Sequence, residues 1–120
     1  MIHRDWFKRQ LEVIVQALGT VLGLKAEGEV QTAAAAVEAA VQKAFGMSSN
    51  LALGLRIEDF LTLACRGEEP TAEFLSGMAK LFAEWAGLLD AQGRPAEAAL
   101  SKSRSQTLAD LAQAKAGTES

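Results

Sequence analysis

Apolar residues along this chain recur at helical spacing, and no segment alternates apolar with polar as a half-buried strand would. Phe7, Leu11, Ile14, Leu18 and Val21 follow one another four and three residues apart, which predicts a helix over 5–25 with Asp5 as its N-cap. Val30, Ala34, Val37, Val41 and Ala44 repeat the spacing and predict a second helix over 29–45, whose many alanines would let neighbours pack from several sides. Gly46-Met-Ser-Ser-Asn50 then opens a connection holding Leu51, Leu53 and Leu55. Ile57, Phe60, Leu61, Ala64 and Cys65 mark a short third helix over 57–66, stopped by Gly67. The most apolar segment, 70–91, carries Phe74, Met78, Leu81, Phe82, Trp85, Leu88 and Leu89 and reads as a fourth helix opened by Pro70. A fifth helix over 95–115 has only the thin stripe Leu100, Leu108 and Leu111, interrupted by the polar run 101–106. The expectation is an all-α fold of about five helices, one domain over 1–116, with a loose tail at 117–120.

Two places share one punctuation. Gly28 and Gly93 each end an amphipathic segment, and an alanine follows five residues later, Ala33 and Ala98. A glycine stop followed by a fresh helix is helix-turn-helix spelling, and its double use resembles the tetratricopeptide repeat, a pair of antiparallel helices crossing at small residues. In the second copy Phe82, Trp85, Ala86, Leu89, Gly93 and Ala98 fit the large and small positions, while Lys102 and Ser105 depart where an aromatic and an alanine are wanted. In the first copy Gly28, Ala33, Val37 and Ala40 fit, whereas Thr20 and Val21 occupy the crossing. Trp85 is expected to fill the crossing of its hairpin, with Ala86 small enough to admit the partner helix. Two units are fewer than an open solenoid needs, so antiparallel hairpins packed as a small bundle are expected. Gly19 and Gly23, four apart, either admit a close neighbour or fray the first helix.

Composition narrows the function classes. Charged residues make up 22% and hydrophobic ones 49% of 120 residues, a globular mix. Six basic residues face seven acidic ones up to Phe60, and six face eight beyond it, giving a net charge of −3. Neither half offers the basic surface that nucleic acid requires. Cys65 is alone and cannot form an internal disulfide, which fits a reducing compartment. The apolar stretch 11–24 follows Arg4, Lys8 and Arg9 as a leader would, but Glu12 and Gln16 interrupt it and no small-residue cleavage site follows. A cytoplasmic chain is expected.

The opening Arg4-Asp5-Trp6-Phe7-Lys8-Arg9-Gln10-Leu11-Glu12 is similar to that of a family of small bacterial proteins that begin close to R-D-W/Y-x-x-R-Q/M-I-E. The resemblance runs on through Leu55-Arg-Ile-Glu58-Asp59-Phe60-Leu61 and through Gln92-Gly93 to Glu97-Ala98. Arg56 stands where that family carries a capping hydroxyl, which weakens the expected start of the third helix. The family is a domain of unknown function, so the resemblance implies tetratricopeptide-like hairpins and no activity.

No residue pattern names a reaction. His3 is the only histidine and has no partners at ligand spacing, so neither a metal nor a cofactor is expected. Cys65 ends an apolar stripe with no base in sequence reach and reads as a small buried hydrophobe. Glu58-Asp59 and Glu68-Glu69 are neighbours whose side chains diverge, as solvating charge does. The one cluster of interest is Arg4, Trp6, Lys8 and Arg9, whose functional reading is a contact patch for a partner, an anionic membrane surface or a second copy of the chain. Its plainer reading is an indole laid on the core, with Arg9 paired to a carboxylate. The expectation is a non-enzymatic protein-interaction module, its partner another protein or a second copy in a homodimer. The competing reading is a peripheral membrane or lipid-binding protein that uses its amphipathic N-terminal helix.

Overall fold

The structure, a computed structural model, describes residues 4–119; the side chain of Arg4 lies outside the description. Six helices follow in order: α1 Arg4–Ala26, α2 Val30–Phe45, α3 Ser49–Gly54, α4 Ile57–Ala64, α5 Ala72–Ala91 and α6 Pro95–Glu119, with no strand among the described residues. The all-α expectation holds with one helix more. The extra one is α3, six residues long and too short to show a period. Its signal was Ser48, whose hydroxyl accepts the Leu51 N–H at 3.3 Å while Ala52 and Leu53 are buried.

The two glycine stops are the same motif in detail. Gly28 and Gly93 both take a left-handed φ, +76° and +74°. The residue after each donates its N–H five positions back, Glu29 to the Leu24 carbonyl at 2.8 Å and Arg94 to the Leu89 carbonyl at 2.9 Å. These bonds satisfy last-turn carbonyls that would otherwise be orphaned, and only glycine adopts the linking conformation without a Cβ penalty. Gly93→Ala should therefore cost about 1–2 kcal/mol in chemical denaturation, although a methyl there would meet no neighbour within 4 Å.

The contacts also give the direction of each helix. Phe7 of α1 touches Phe74 near the start of α5, and Lys25 at the far end of α1 pairs with Glu84 further along α5, so α1 and α5 run parallel. Gln31 early in α2 bonds Gln92 just past α5, and Phe45 at its end meets Phe74, so α2 runs antiparallel to α5. Ser101 and Ser105 of α6 reach Phe82 and Ala79 of α5, which makes that pair antiparallel too. Two hairpins thus stack through α5, and α3 and α4 bridge them. Phe45, Phe60, Phe74 and Phe82 meet where α2, α4 and α5 converge, the Phe45–Phe60 and Phe60–Phe82 rings edge to face at 5.5 Å.

Several local expectations need correcting. Asp5 is inside the first turn of α1, since the helix already includes Arg4; its charge still faces the positive end of the dipole. Pro70 precedes α5 instead of opening it, because the Thr71 hydroxyl accepts the Phe74 N–H at 3.1 Å and makes Thr71 the cap. Arg56 supplies no side-chain cap to α4, yet α4 forms, anchored by fully buried Phe60. At the C-terminus α6 continues through Gly117 to Glu119, where a loose tail was expected. The Glu119 carboxylate accepts the free Ala72 N–H at 3.2 Å, and Lys115 pairs with Glu69 at 2.8 Å, so the last turn caps the start of α5.

The glycine pair of α1 admits no close neighbour among the described residues. Both glycines are exposed, and a Cβ at either would meet nothing within 4 Å. The close approach is at Gly77 of α5, where a Cβ would stand 2.5 Å from Leu11 Cδ1. Gly19→Ala and Gly23→Ala should each stabilise the dilute chain by about 0.5–1 kcal/mol, read as a raised denaturation midpoint with unchanged m.

Candidate functional site

Of the four residues of the sequence cluster, Trp6, Lys8 and Arg9 have described side chains, and they meet different surroundings. The backbone of Arg4 opens α1. Trp6 is half-buried, its ring edge-on to Phe7 at 5.1 Å and tilted against Phe74 at 6.3 Å. Lys8 and Arg9 are exposed and form no ion pair among the described residues, so the expected carboxylate partner of Arg9 is missing. The cation that does meet the indole comes from elsewhere. Arg66 Cζ lies 5.4 Å from the Trp6 ring centroid, and Arg66 holds a left-handed φ of +53° that a non-glycine residue adopts at some cost. Sequence proximity could not reveal this, because Arg66 arrives from the α4–α5 loop. Trp6 thus ties that loop to α1, while Lys8 borders a recess of about 240 Å³ beside Leu11, Thr71 and Glu119.

A groove of about 500 Å³ lies between α4, the 67–70 loop and the end of α6. Leu61, Leu75 and Leu111 make its apolar floor, and the Lys115–Glu69 pair crosses its edge. Cys65 is nearby but buried, and burial first, then the charge of Glu69, pushes its thiol up to about 12. A thiol so held is not a nucleophile at neutral pH. No three His, Cys, Asp or Glu side chains gather to hold a metal ion among the described residues. Glu58 and Asp59 are exposed on the first turn of α4, Asp59 facing Arg56 at 3.4 Å. His3 lies outside the described residues.

The least expected arrangement involves α6. Half of the polar run that seemed to interrupt its stripe turns toward the protein, Ser101, Arg104 and Ser105, while Lys102, Ser103 and Gln106 are exposed. Ser101 is fully buried and donates to the Phe82 carbonyl at 2.6 Å, and Ser105 donates to the Ala79 carbonyl at 2.7 Å. Arg104 turns sideways, and its guanidinium donates to the Ala52 and Leu55 carbonyls at the end of α3, over the Phe60 ring at 5.0 Å. Burial lowers the Arg104 pKa from its ordinary value, and no carboxylate compensates; the helix-end carbonyl dipoles take that part. Leu100 and Leu111, expected to face inward, are 50% and 38% exposed, and Leu108 is the one large side chain that α6 buries.

Val15 and Leu22 of α1 are the most exposed large hydrophobics among the described residues, at 57% and 55%. Seven residues apart on a helix, they lie along one line. No described helix is long and apolar enough to cross a membrane. No family model matches this chain, and neither a curated protein nor a solved structure matches it.

Proposed function

We propose that this protein is a non-enzymatic helical interaction module that associates with itself, built from two tetratricopeptide-like hairpins and working in the cytoplasm. The observation that carries the self-association is the aligned pair Val15 and Leu22. Single exposed leucines are ordinary, but two on one helix line form a surface, and apolar surface left in water commonly marks a contact site. Supporting the tetratricopeptide-like reading, α5 lies against both helices of the first hairpin, as a stacked second repeat would. The resemblance to the uncharacterised bacterial family, carried by residues 4–12, 55–61 and 89–98, enters the proposal as a likeness of sequence. Light scattering over a wide concentration range tests the reading: mass rising toward twice that of the chain supports it, and a strict monomer throughout sinks its self-association half.

The membrane reading has less to draw on. Phe7, Ile14 and Val21, the residues that would insert, are buried within the bundle. A lipid surface would have to be held by Val15 and Leu22 alone, or α1 would have to leave the bundle. Flotation with anionic liposomes separates the two, since an interaction module stays in the dense fraction.

A further inference from the structure

α1 carries two stripes, and its own fold uses only one. Phe7, Ile14 and Val21 are buried. On the other side Val15, Gly19, Leu22 and Ala26 recur four, three and four residues apart, all exposed. Nothing among the described residues of the other helices approaches Gly19: a Cβ there would meet none of their atoms within 4 Å. Charge along the same helix is polarised. Lys8 and Arg9 are exposed near its start, Glu27 and Glu29 are exposed just past its end, and none of the four has an ion-pair partner among the described residues.

We propose that this stripe docks a second copy of the chain, α1 against α1, antiparallel about a two-fold axis near Leu18 and Gly19. The inference rests on the self-association proposed above and adds the surface and the orientation. In that register Val15 lies beside Leu22 of the second copy, twice by symmetry, as a self-complementary patch must. Lys8 and Arg9 come level with Glu27 and Glu29 of the second copy. A parallel pairing would set each charge beside its own kind, so the charge pattern selects the antiparallel one. Gly19 at the centre lets the two helix axes approach closely, since interaxial distance follows the side chains at the crossing. One helix face per chain is a small interface, so the dimer is weak and exchanges rapidly.

Sedimentation equilibrium of the full chain up to millimolar concentration tests this. Leu22→Glu should weaken association about tenfold or more and leave the circular dichroism spectrum unchanged, because Leu22 is exposed. Lys8→Glu with Arg9→Glu should also weaken it, and adding Glu27→Lys with Glu29→Lys in the same chain should restore it. Under mild oxidation Gly19→Cys should cross-link the dimer and Lys8→Cys should not. A wild-type chain that stays monomeric overturns this inference together with self-association. A chain that associates but is indifferent to Leu22→Glu overturns the surface alone. Cross-linking at Lys8→Cys as readily as at Gly19→Cys overturns the antiparallel orientation.

Discussion

Trp85→Ala should destabilise the chain by about 3–5 kcal/mol, the largest single-residue effect expected here. Trp85 is 1% exposed in the middle of α5, its ring tilted against Phe82 at 5.8 Å. The closely packed helices around it cannot collapse to fill the volume of an indole. One detail moderates the loss: the buried Nε1–H meets no acceptor among the described residues, so no hydrogen bond between them is forfeited with the indole. Trp85→Phe keeps part of the volume and removes that donor, so it should cost less than half as much. Urea unfolding of both variants checks the pair, with C_m falling and m unchanged. If the indole were a partner's anchor instead, association would be lost at an unchanged melting temperature.

Arg104→Ala should cost about 2–4 kcal/mol, since charged donors are worth more than neutral ones and their loss leaves helix-end carbonyls bare. The Ala52 and Leu55 carbonyls would lose a donor that no neighbouring residue replaces. Arg104→Lys should recover only a minor part, because one ammonium on a flexible stem cannot span two carbonyls as a planar fork does. Hydrogen exchange gives the sharper readout. Protection should fall in α3, residues Ser49–Gly54, well before it falls in α1. An even loss over all six helices would mean that Arg104 acts as bulk, not as the terminus of α3.

Both effects bear on what could be read before the fold was known. α1, α2 and α5 were legible because each pairs a long apolar stripe with a recognisable stop; Gly28 and Gly93 spelled their motif in the chain itself. α3 was hidden by its length, and its one clue, Ser48, looks like any loop serine. The seam of α6 was hidden for a chemical reason. Hydropathy treats serine and arginine as surface residues, yet a hydroxyl can be buried where a carbonyl of the next helix accepts its proton. Leu100 and Leu111 misled in the opposite sense, being apolar and outward. At the candidate site, Trp6 was recognisable as a packing residue. Its cation was not, because Arg66 is brought to it by the tertiary fold alone.

A seam held by hydroxyls on carbonyls measures where a purely greasy one would not. A leucine ridge slid along a groove by one turn finds another groove of nearly the same depth, and the free energy changes little. Ser101 and Ser105 are donors at set heights along α6, each meeting one oxygen of α5, Arg104 meets two at the end of α3, and Glu119 meets the Ala72 N–H at the far end. Deleting a single residue between Ser105 and Lys115 would turn everything beyond it by about 100° and withdraw it by about 1.5 Å. The carboxylate would then swing off the start of α5 while the serines stayed in place. Along this seam the chain tolerates changes of residue better than changes of length, and α6 acts as a ruler laid on α5.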